Sequence, residues 1–124
     1  MAAEEHLFSV EEADSVLDEL RDRLKRIRSA RDELVSSSDR IKGRVAEDGG
    51  GVDGRDYWES LATLREEVEA VSQRGVILRD PETGLVDFPA ERDGEPIFLC
   101  WRSEEDSVRF WHDTETGFSG RRPL

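Results

Sequence analysis

Apolar residues at Val10, Ala13, Leu17, Leu20, Leu24, Ile27, Leu34, Ile41 and Val45 recur in alternating steps of three and four, interrupted only at Arg31 and Ser38. That period is the one a helix needs to line up a single buried stripe, so it predicts one long helix over 9–46, roughly 50 Å from end to end at about 1.5 Å per residue. Its start is marked by Ser9 and Glu12, spaced as a capping box, with Phe8 placed to pack back onto the first turn. Ser36 to Ser38 is where such a helix is expected to fray or bend. Glu47-Asp48-Gly49-Gly50-Gly51 ends it, since each glycine gives up more backbone entropy than a helix returns. A second helix over 53–74 follows, capped by Asp53 or Asp56, with Tyr57, Leu61, Leu64, Val68 and Val71 on one face and Gly75 as a left-handed stop. The short connection and matching stripes predict an antiparallel hairpin.

The two lengths do not match, and this shapes everything downstream. About 20 residues span roughly 30 Å, so the second helix shields only the far half of the first and leaves Val10 to Ile27 without cover. Short strand-like runs at Val76 to Leu78, Leu85 to Pro89, Pro96 to Trp101 and Val108 to His112, separated by Arg79 to Gly84, Glu91 to Glu95 and Ser103 to Asp106, read as an antiparallel meander that supplies it. Pro89 and Pro96 lack an N–H and are expected at strand ends. The fold class expected is therefore α+β: a long antiparallel helical hairpin with a small antiparallel β-meander packed on the N-terminal half of helix one. Residues 1–124 read as one domain, with the meander over 76–112 and a C-terminal tail over 113–124. A second copy packed along the heptad seam is the competing cover, which makes a homodimer through the helices the alternative to simple core packing.

Charge narrows the partners. The net charge of −12 repels phosphate backbones and anionic lipid, so duplex nucleic acid and membrane surfaces are not expected partners. One cysteine, Cys100, excludes an internal disulfide and fits a reducing compartment. With no membrane-length apolar run and no signal-like N-terminus, the expected location is cytoplasmic.

Candidate functional residues gather near the end, where six of the nine aromatics follow Val86. Cys100, His112, Asp113 and Asp87 offer thiolate, imidazole and carboxylate, a donor set that suits zinc or another divalent metal. Their meeting depends on strand register: Phe110 opposite Leu99 would place Cys100 on one face and His112 with Asp87 on the other. The plainer reading makes Cys100 a small buried hydrophobe and lets His112 and Asp113 order the following turn. Trp101, Arg102, Trp111, Phe118, Arg121 and Arg122 form the second group, suited to holding a protein partner or an anion through forked guanidiniums and rings. The competing reading docks Arg121 and Arg122 on the chain's own acidic helices, at Glu11, Glu12, Asp14 or Asp18. A base-stacking platform from Phe98, Trp101, Phe110 and Trp111 lacks the basic groove such platforms use. Glu104-Glu105-Asp106 and the other acidic runs read as solvated faces.

The segments TGLVDFPA (Thr83 to Ala90), FLCWR (Phe98 to Arg102), VRFWHD (Val108 to Asp113) and GFSGRRPL (Gly117 to Leu124), with FSVEEADSVL near the start and the GGGVD turn, resemble a prokaryotic family of uncharacterised proteins, domain of unknown function 2203. The resemblance implies a fold type and brings no activity with it. From the residues, the leading expectation is a non-catalytic cytoplasmic protein-interaction domain, using Trp101, Trp111, Arg121 and Arg122 beside the sheet edge, with no cofactor. The alternative is a metal-binding protein or metal-dependent enzyme using Cys100, His112 and aspartates.

Overall fold

The structure, a computed structural model, describes residues 6–48 and 54–124. The glycine turn at Gly49 to Gly51 and the Asp53 cap lie outside the described residues. Three helices, α1 (Val10–Ser15), α2 (Leu17–Asp48) and α3 (Arg55–Gln73), precede five strands: β1 (Ile77–Asp80), β2 (Leu85–Arg92), β3 (Glu95–Arg102), β4 (Phe110–Asp113) and β5 (Arg122–Pro123). The strands form one antiparallel sheet in the order β1-β2-β3-β4-β5, and α2 and α3 make the hairpin. No helix among the described residues is long and apolar enough to cross a membrane.

The capping box forms as spaced: Ser9 Oγ accepts from Glu12 N–H at 3.0 Å, and the Glu12 carboxylate accepts from Ser9 N–H. The expected uninterrupted first helix does not hold, however. It breaks at Val16, where φ −104° and ψ 2° leave the helical range, beside a Ser15 hydroxyl that donates to the Glu12 carbonyl at 2.6 Å. A serine that competes for a helical carbonyl bends the chain in this way. Ser36 to Ser38, expected to bend, stay helical, with the Ser37 hydroxyl donating to Glu33 at 3.1 Å. α3 starts from Gly54 without a side-chain cap, and Asp56 sits inside its first turn. Its end is as expected, at Gly75 with φ 83°.

The sheet covers the half of the hairpin that needed covering. Val86, Phe88, Ala90, Ile97, Leu99 and Trp101 pack against Ala13, Leu17, Leu20, Leu24, Ile27 and Val71 in one core cluster. Each large side chain fully buried there contributes about 1.5–3 kcal/mol. Trp101 is completely buried, its Nε1–H donating to the Glu105 carbonyl at 2.9 Å, so it offers no surface to a partner.

Strand limits differ from expectation in ways that matter for the site. The segment Glu91 to Glu95 is mostly strand; only Asp93 (φ 52°) and Gly94 (φ 78°) turn the chain. Two positive-φ residues make the tight turn whose twist matches a hairpin, and Asp-Gly is a favoured pair for it. Pro89 lies inside β2 rather than at an end. Its carbonyl accepts from Phe8 N–H at 2.7 Å, on the side where β1 stops at Ile77 opposite Asp87, so no ladder bond is lost there. The tail adds a fifth strand, Phe110 pairing Pro123 and Trp111 pairing Arg122.

Candidate metal centre on the outer sheet face

The Asp93-Gly94 turn sets Arg92 opposite Glu95, and that register puts Asp87 opposite Cys100. On the next strand Phe110 lies opposite Cys100 and His112 opposite Phe98. This is one residue away from the pairing that would have split the group. Because side chains alternate, Asp87, Phe98, Cys100, Phe110 and His112 share the face turned away from the helices. The β3–β4 loop that fixes this register is pinned from the helices. Asp14 accepts from Val108 N–H at 2.7 Å, and the Arg21 guanidinium donates to the carbonyls of Ser103, Glu105 and Asp106.

Polar residues on a non-core face are ordinarily wet, yet Asp87 and His112 are 2% exposed and Cys100 is 0% exposed. Two arginine–aromatic stacks provide the cover. Arg79 lies 5.2 Å over Phe98, whose ring is 5.5 Å from that of His112. Arg121 lies 3.9 Å over Phe110 and 4.8 Å over Phe118, and Arg102 lies 5.0 Å over Phe118 from its own strand.

Beneath this cover, one donor atom from each of Asp87, Cys100 and His112 lies within 4.8 Å of the others. Asp87 Oδ2 accepts from Arg79 Nε at 2.8 Å and lies 3.0 Å from His112 Nε2. His112 Nδ1 lies 2.6 Å from the Asp113 carbonyl. Both ring nitrogens thus face oxygen acceptors, and a cation in place of a proton at Nε2 suits the carboxylate it faces. Metal-bound histidines characteristically give their second N–H to a carbonyl or carboxylate, as Nδ1 does here. Asp87 Oδ1 is buried without an N–H or O–H donor, and the Cys100 thiol beside the carboxylate is only a weak donor. A carboxylate oxygen so poorly paired costs about 1–3 kcal/mol unless something occupies it.

Burial pushes the Cys100 thiol up to about 12, and the neighbouring Asp87 carboxylate adds to the rise, against a smaller opposing pull from Arg121. A fully buried thiol held in its protonated form is a poor nucleophile. A dication replacing the thiol proton would reverse the balance, since coordinating thiols are deprotonated outright.

Of the expected metal donors, the fold brings together Asp87, Cys100 and His112 and leaves out Asp113. That carboxylate lies across from Ile97 on the other face and accepts from the N–H groups of Glu115 and Thr116, which holds it below the usual carboxylate range. The expected partner surface is divided. Arg102, Phe118 and Arg121 cover the outer face; Trp111 and Arg122 pair on the opposite face, where Arg92 and Arg122 stack on Trp111 at 4.8 and 5.2 Å. Arg121 is docked, but on Glu105, with bonds of 2.9 and 2.7 Å, rather than on the acidic helices. Two residues at the site carry no local signal in the sequence, Arg79 in a turn-like segment and Glu105 in an acidic run. A surface cleft among His6, Glu12, Arg74 and Pro89 includes none of the three donors.

The family model described as "Uncharacterized conserved protein (DUF2203)" matches residues 6–124. No curated protein and no solved structure matches the chain.

Proposed function

The chain belongs to this family of uncharacterised conserved proteins, and because the family brings no activity we propose, from the geometry of the site, that the protein is a metal-binding domain. Its outer sheet face would hold one zinc-type divalent ion between Asp87, Cys100 and His112. The observation that carries this reading is the convergence of three donors from three successive strands in a buried spot, with one carboxylate oxygen left without an N–H or O–H donor. Sulfur, imidazole nitrogen and carboxylate oxygen together suit zinc better than magnesium or calcium, which prefer all-oxygen shells. Protein purified without chelators should carry close to one equivalent of metal by elemental analysis. Cys100→Ala and His112→Ala should lose it while keeping the native circular dichroism spectrum. Metal-free wild-type protein that also takes up none on zinc addition would sink the proposal.

A second reading, a homodimer through the helices, is favoured by a separate observation. The hairpin leaves Val35 63% and Trp58 65% exposed, on a pair of helices too thin to bury its own apolar stripe. A second copy laid against the hairpin would complete a four-helix arrangement.

A further inference from the structure

Arg79 reaches the centre through a local irregularity. β1 pairs Leu78 with Val86 and then Asp80 with Leu85, so Arg79 is the extra residue of a β-bulge. Bulges re-aim side chains, and this one sends Arg79 onto Asp87, whose own partner across the ladder is Ile77. The arginine remains 44% exposed, and its other contact is the face of Phe98. Among the described residues it can therefore swing to solvent without breaking any other ion pair.

Resting on the metal-binding reading above, we propose that Arg79 is the built-in stand-in for the metal: Arg79 and the divalent ion are alternative counter-ions for Asp87, and each displaces the other. Charge decides it. Without metal, one guanidinium offsets one buried carboxylate while the thiol is neutral. With metal, two positive charges are offset by the Asp87 carboxylate and the Cys100 thiolate. Arg79 kept in place would then add an unbalanced charge to a site shielded from water, which a half-exposed side chain avoids by leaving. The competing role, a guanidinium that stays on Oδ2 and steers Oδ1 toward the ion, predicts the opposite effect of removing it.

The test compares wild-type, Arg79→Met and Arg79→Lys proteins, each shown to be folded, in zinc titrations against a chromophoric chelator. Methionine keeps the apolar stem over Phe98 and removes the charge, so Arg79→Met should bind zinc at least about tenfold more tightly than wild type. Arg79→Lys should stay near wild type. In wild-type protein the Arg79 Nε–H resonance should lose its protection from solvent exchange as zinc is added. Arg79→Met binding zinc equally or more weakly, or an Nε–H that stays protected at saturation, overturns the exchange and leaves Arg79 as a positioning residue. Folded wild type and Arg79→Met that both bind no zinc would instead remove the metal reading on which the exchange rests.

Discussion

Replacing Arg121 by alanine probes whether the tail belongs to the fold. The Arg121 side chain is 11% exposed and its partner Glu105 is 19% exposed, so the small values typical of surface pairs do not apply. Removing one partner of a buried pair costs about 3–5 kcal/mol. Here the loss is moderated, because Glu105 keeps the Arg102 N–H at 2.8 Å and some contact with water. The ring stacks on Phe110 and Phe118 add to it. The balance is about 2–3 kcal/mol, which for a chain of this size lowers the melting temperature by about 8–12 °C. The assay is urea unfolding of Arg121→Ala, Glu105→Gln and the double variant. The coupling between the two sites should be on the order of 1.5–3 kcal/mol, the range for charge-assisted bonds. An Arg121→Ala protein as stable as wild type would refute the docked tail and release the guanidinium for a partner.

In metal-free protein the raised Cys100 value sets a sign for alkaline stability. Folding favours the thiol, so its contribution is fully present below the ordinary value of 9.0 and is lost as pH rises toward about 12; Cys100→Ala should flatten the decline in stability over that window. The homodimer reading expects concentration-dependent elution, measured with light scattering, that Trp58→Ser abolishes while shifting unfolding of the single chain by no more than about 0.5 kcal/mol. A monomer at every concentration tested removes that reading.

How much of this was legible follows from which signals are local. The capping box at Ser9 and Glu12, the glycine stop at Gly75 and the seam from Ala13 to Ile27 are written within a few residues of where they act, and all three appear as read. The mismatch in helix length correctly placed the sheet, because uncovered apolar area has to be buried somewhere. The interruption at Val16 was not legible, since it depends on one serine hydroxyl choosing a carbonyl over solvent. The metal trio was legible only as residue types. Whether its members meet depends on a single step of register between β3 and β4, and that step is set by a loop held from Asp14 and Arg21, more than 80 residues away in the chain. One short signal did bear on it: Asp93-Gly94 marks a two-residue turn, and counting back from it pairs Asp87 with Cys100. Arg79 had no such signal, because a bulge moves it out of the alternation.

The two faces of the sheet meet opposite demands on the same strands. On the inner face, register is enforced by apolar burial; a slip of one residue would expose Phe88, Leu99 and Trp101 and bring Asp87 and Cys100 inward, a loss far beyond what the fold tolerates. The outer trio is thus held in place by energy derived from the other side of the sheet. It need not stabilise the protein, and its poorly paired carboxylate oxygen works against stability by about 1–3 kcal/mol. A bound ion at a thousand times its dissociation constant returns about 4 kcal/mol, enough to offset that loss and no larger than the margin a domain commonly has. The metal-free and metal-bound forms should therefore both be folded. Arg79, Asp87, Cys100 and His112 come one each from β1, β2, β3 and β4. Occupancy would then act mainly on the outer face: which cation faces Asp87, and whether Arg79 lies over Phe98 or in solvent.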